Sequence, residues 1–148
     1  MAEAEGRVAK QFGGRGWYAT VRLSLVPAAG REVVAVPSAA DGWQLGEGWL
    51  EAAAAGTAVG LELAGATGRC EITGVHGMVC DTSPGVVALA AVRAAWAACG
   101  FEPDEALVAA VEGCVDRGHQ FARDAILAEL VAVAPDAEPG TAADGGGV

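Results

Sequence analysis

From Trp17 the chain alternates. Trp17, Ala19, Val21, Leu23 and Leu25 fall on one side, and Tyr18, Thr20, Arg22 and Ser24 fall on the other. A period of two over nine residues predicts a half-buried strand. Pro27–Gly30 ("PAAG") reads as a turn and Glu32–Val36 as a second strand, so a long hairpin is the economical expectation. Helical spacing then takes over from Trp43 to Ala55, with Gly56 as its C-cap. Val59, Leu61 and Leu63 alternate again, Gly65–Gly68 ("GATG") reads as a tight turn, and Arg69–Val75 as its partner strand. Thr82 or Ser83 can cap a helix with Pro84 in its first turn, running to Gly100.

The predicted order is therefore strand, strand, helix, strand, strand, helix. The fold class it implies is α+β: a two-layer sandwich with a four-stranded sheet and two helices on one face. Residues 1–12 show no apolar periodicity and read as a flexible N-terminal segment before a domain at 13–100. A helical extension over 101–134 carries Leu107, Val111, Val115, Phe121 and Leu130, and 135–148 reads as a disordered tail. The apolar side of the extension must be covered, because an exposed helix of that hydrophobicity would aggregate. The expected cover is the open face of the sheet at Val26, Val34 and Val36; the other is a second copy of the chain, giving a monomer or a homodimer.

Composition adds constraints. At 148 residues and 53 % hydrophobic content the chain can bury a real core, but only 5 % is aromatic, so small side chains build it. No basic start with a following apolar run, and no stretch long enough to span a bilayer, is visible, which predicts a cytoplasmic protein without membrane contact. Cys70, Cys80, Cys99 and Cys114 form no paired C-x-x-C spacing, so buried free thiols are expected and no metal or cofactor is assigned; Cys70, His76 and Cys80 are the only trio near one another in sequence.

The net charge of −10 argues against non-specific coating of nucleic acid. Yet Arg7, Lys10, Arg15, Arg22 and Arg31 lie in one stretch without an acid, whereas the chain from Glu102 onward is acidic. Inside the basic stretch sits "KQFGGRGWYATVRL", in which Gly13, Gly14 and Gly16 free the backbone around Arg15 for a tight turn, for close approach to a phosphate or base, or for both. Tyr18 is the better stacking residue, because Trp17 falls on the apolar side. No Ser-His-Asp or Cys-His set is spaced recognisably, and no G-x-x-x-x-G-K-[ST] phosphate loop occurs.

These residues support a resemblance. "KQFGGRGWYATVRL" resembles the opening of domain IV of elongation factor G and related translocation and ribosomal protection factors, and "MVCDTSPGVVALAAVRAAW" resembles that domain's loop-to-helix passage. The likeness runs over roughly 8–100. Met78 stands where the family commonly has His, and the loop after the second strand is shortened to "PSAADG".

The resemblance implies two tip loops reaching ribosomal RNA: one at Gly13, Gly14, Arg15, Gly16 and Trp17, the other at Val75–Val79 with His76 and Met78. Lys10, Tyr18 and Arg22 are the accompanying contact candidates, and Asp81, Thr82 and Ser83 are read as a structural helix cap. The functional expectation is a non-enzymatic, translation-related module, without a GTPase of its own, that contacts the ribosome or other structured RNA. The alternative is a scaffold that binds a protein partner through the acidic helical extension. An unrecognised enzyme or a small-ligand binder ranks third.

Overall fold

The computed structural model describes residues 1–12, 15–35, 48–78 and 81–116. Four strands, β1 (Ala2–Phe12), β2 (Arg15–Val26), β3 (Arg31–Ala35) and β4 (Gly68–Gly77), form one mixed sheet in the order β1-β2-β4-β3. Three helices, α1 (Trp49–Ala64), α2 (Pro84–Cys99) and α3 (Glu105–Asp116), complete an α+β fold. The two-layer class expected from the pattern is the one observed, but its wiring differs in four places.

The first difference is the N-terminus. Residues 2–12 are not a flexible leader; they form the edge strand β1, paired antiparallel with β2 from Ala2↔Leu25 to Phe12↔Arg15. The hairpin therefore joins Phe12 to Arg15 and is not closed at Pro27–Gly30. The alternation was present but faint, because β1 turns Ala2, Ala4, Gly6 and Val8 to one side and Glu3, Glu5 and Arg7 to the other. Small inward side chains carry little hydrophobic signal. They are small because α2 lies against them: a Cβ on Gly6 would collide with the Ala90 carbonyl and the Ala94 amide.

The second difference is at Val59–Ala64, which continues α1 instead of forming a strand. Gly56 does not end this helix. Gly56 and Gly60 stand one turn apart against α2, where a Cβ on Gly56 would strike the Ala88 backbone and one on Gly60 would lie 2.9 Å from the Ala95 methyl. The Thr57 hydroxyl donates to the Ala53 carbonyl at 2.8 Å, a bond one turn back that a strand cannot make. The helix ends at Gly65 in the left-handed region, with the Ala66 amide donating to the Leu61 carbonyl at 2.9 Å.

Thirdly, β2 and β3 do not pair. β4 lies between them, antiparallel to β2 and parallel to β3, so β3–α1–β4 is a crossover unit. The Pro27–Gly30 link spans the start of β4, where the Gly68 amide donates to the Gly30 carbonyl at 2.8 Å. Gly68 has φ +147, and a Cβ there would press on Leu25 and the Val26 carbonyl.

The fourth difference concerns the extension. α3 packs on the helical layer, with Val111, Cys114 and Val115 buried in the common core, and not on the open sheet face. Glu112 fixes it there by accepting from Lys10 Nζ of β1 and Arg93 Nη2 of α2, both at 2.6 Å. The expectations for 117–134, for the tail 135–148 and for Val36 lie outside the described residues. Val26 stays exposed and Val34 half-buried.

The core joins Ala19, Val21, Leu23 and Leu25 of β2 and Cys70, Ile72 and Val75 of β4 to α1 and α2. Apart from Arg93, α2 is apolar all round, and it is buried from Val86 to Val92, as a helix enclosed by sheet, α1 and α3 must be. Gly56→Ala is expected to lower the unfolding free energy by about 2 kcal/mol or more through forced separation of α1 and α2. Gly30→Ala, where a Cβ meets nothing within 4 Å, is expected to stay within about 0.5 kcal/mol. Urea unfolding of the two variants checks the contrast.

Candidate RNA-contact tip and the open sheet face

β2 runs on past the end of β4, and the loop between β4 and α2 folds back to pair with it. The Tyr18 amide donates to the Asp81 carbonyl at 2.9 Å. The Thr82 hydroxyl donates to the Tyr18 carbonyl at 2.5 Å and accepts from the Met78 amide at 2.6 Å. Asp81 and Thr82 amides both donate to the Met78 carbonyl, at 3.2 and 3.0 Å, closing the turn. Glycine is required on both sides of this junction. A Cβ on Gly16 would sit 2.8 Å from the Asp81 carboxyl carbon, and one on Gly77 2.5 Å from the Thr82 methyl.

The Phe12–Arg15 end of β1 and β2 and the described part of the β4–α2 loop thus occupy the same end of the sheet. Between them is a shallow cleft of about 300 Å³, bordered by Lys10, Gly16, Tyr18, Met78 and Asp81. Met78 is exposed at its rim. Lys10 reaches the cleft, but its ammonium is ion-paired with Glu112. Gly13 and Gly14, and the side chain of Arg15, lie outside the described residues. Trp17 is half-buried against the core, on the side its alternation indicates.

The cap residues divide their work. Ser83 alone is the N-cap, its Oγ accepting from the Val86 amide at 3.3 Å with Pro84 following. Thr82 is the clamp between loop and strand, and Asp81 supplies backbone partners and the wall beside Gly16.

The remaining candidates lie elsewhere. His76 belongs to β4, which extends to Gly77, so the second tip loop is Met78–Ser83 and not Val75–Val79. His76 stands cross-strand from Thr20 on the open face, and Arg22 stands on the same face opposite Gly74. Arg22 Nη2 donates to His76 Nε2 at 2.9 Å, and Arg22 Nε is 3.7 Å from the Glu5 carboxylate. The Arg7 guanidinium lies 5.8 Å from the centre of the Tyr18 ring. Arg7 and Glu5 escaped notice as site residues because the strand that carries them did. Its charged alternation, read as a strand, would have placed both beside Tyr18 and Arg22.

Cys70 and His76 are on opposite faces of β4, so they cannot ligate one metal together. Cys80 is outside the described residues. Burial pushes the Cys70 thiol up to about 11, with Cys99 nearby adding to the shift, so it remains protonated at neutral pH. Among the described residues no helix is long and apolar enough to cross a membrane.

Fold and site together define an α+β two-layer domain with a clamped two-loop tip and an open, charged sheet face. It is similar to one segment of a Thermus thermophilus protein of known crystal structure, at 25 % identity and a TM-score of 0.53. The likeness covers 64 % of this chain and 15 % of that one, so the chain corresponds to a small part of the longer protein. No protein-family model matches the chain, and no curated protein matches it.

Thr82→Val keeps the shape of Thr82 but leaves the Tyr18 carbonyl and the Met78 amide without their partner. The expected result is a loss of about 1–3 kcal/mol and faster hydrogen exchange at Met78 and Tyr18, with α1 amides unaffected. Unchanged exchange at Met78 would show that the hydroxyl does not hold the loop.

Proposed function

We propose that the chain is a non-enzymatic, translation-related module that contacts structured RNA through its two-loop tip. The observation carrying this reading is the junction of the first residues of β2 with the β4–α2 loop, which Thr82 clamps through Tyr18 and Met78. It makes one surface from the two stretches that resemble elongation factor G domain IV. A glycine-rich stretch with Arg15 in it suits close approach to a phosphate, and an arginine can both pair with that phosphate and stack on a base. The match to one segment of a much longer protein supports a modular role.

The acidic extension supports a protein-binding scaffold less well. In its described part, the apolar side of α3 is spent on the core and Glu112 on Lys10 and Arg93. The net charge of −10 makes any RNA contact weak and steeply salt-dependent.

The test is co-sedimentation with small ribosomal subunits at low and moderate salt, for the parent chain and Arg15→Glu. The expected outcome is binding at low salt that falls as salt rises and is lost in the variant. Absence of co-sedimentation at low salt, or equal binding by Arg15→Glu, would overturn the reading.

A further inference from the structure

We propose that the open face of the sheet carries a separate binding site for a phosphoryl group, between Arg7 of β1 and Arg22 of β2, with His76 of β4 alongside. It does not rest on the tip reading. Glu5, Arg7, Tyr18, Thr20, Arg22 and His76 line one cleft of about 340 Å³, at the small end of the range for ligand sites. Register builds it: Arg7, Thr20 and His76 stand in one row across three strands, and Glu5, Arg22 and Gly74 in the next.

Gly74 provides the floor. A Cβ there would touch both side chains at ordinary contact distance, 3.6 Å from Arg22 Nε and 3.5 Å from His76 Nε2, so the strand passes directly beneath the place where guanidinium and imidazole meet. Arg has donors only, so His76 Nε2 is the acceptor in that bond. An imidazole acceptor orients the guanidinium without the neutralising charge a carboxylate would bring. The carboxylate facing it is Glu5, at 3.7 Å with both side chains more than half exposed, which is a weak pair.

Arg7 is set differently. Its carbonyl is held by Arg93 Nη1 at 2.9 Å, while its guanidinium lies by the Tyr18 ring on the open side. Arg7 also lines the cleft. The cleft therefore has two guanidinium charges against one carboxylate. Further along the face the balance is reversed, because Arg69 is shared between Glu32 and Glu71, at 3.4 and 3.3 Å. Two guanidinium forks, in a cleft that Thr20 and Tyr18 also line, match the several acceptor oxygens of a phosphoryl group better than a single carboxylate.

The group can belong to a free phosphate ester or to a nucleic-acid backbone. The experiment separates these by titrating inorganic phosphate, adenosine monophosphate and a short single-stranded RNA into the full chain at fixed pH and ionic strength. The readout is the His76 ring-proton NMR signal, distinguished from that of the other histidine by His119→Gln. Saturable movement of the His76 signal is expected. Arg7→Ala and Arg22→Ala are each expected to weaken binding about tenfold, and Glu5→Gln to strengthen it two- to threefold or thereabouts. Circular dichroism checks that the variants keep their fold. Movement with phosphate and the monophosphate assigns a free ester, and movement with RNA alone assigns the phosphodiester backbone. No movement with any of the three probes, or undiminished binding by Arg22→Ala, overturns the site.

Discussion

The fold depends on how closely backbone can approach backbone around α2. Three glycines set that distance: Gly6 where β1 crosses the helix, and Gly56 and Gly60 where α1 lies along it. Ala88, Ala90, Ala94 and Ala95 answer them from α2, all fully buried. Aromatic side chains are scarce, so packing density comes from short separations between main chains, not from large residues filling wider gaps. A single methyl in one of these contacts meets backbone, which cannot rotate away.

That close packing places the functional surfaces. α2 leaves Ser83 at the same end of the sheet where β2 outruns β4, which brings Thr82 within reach of Tyr18. It also holds β1 down along its length, so Glu5 and Arg7 project on the far side next to Arg22 and Tyr18. α3 closes the helical layer through Val111 and Val115 and ties β1 to α2 through Glu112. The open sheet face is left mainly to polar and charged side chains, with Val26 and Val34 among them.

Much of this was legible in sequence. The alternation from Trp17 to Leu25 located β2 and its buried side, and the cap Ser83 with Pro84 located α2. Where the reading failed, the cause was small residues. Ala2, Ala4 and Gly6 hide the alternation of β1, and Gly56 looks like a helix-ending signal until α2 is seen against it. The alternation Val59, Leu61, Leu63 fits a strand locally, but burial of the helix face decides it. The pairing of β4 between β2 and β3 has no local signal at all, since a crossover is set by which strand edge α1 returns to. The clamp at Thr82 was invisible for a related reason: its partner Tyr18 is 64 positions away.

The close packing of β1 and α1 on α2 makes a direct demand on native-state hydrogen exchange. If Gly6 seats β1 on α2, the β1 amides bonded to β2 must open only with the whole domain, at the same free energy as the amides of Val87–Val92. The account predicts matched protection in β1 and α2, falling together in denaturant. Exchange in β1 more than about a hundredfold faster than in α2, insensitive to denaturant as in a fraying terminus, would contradict it.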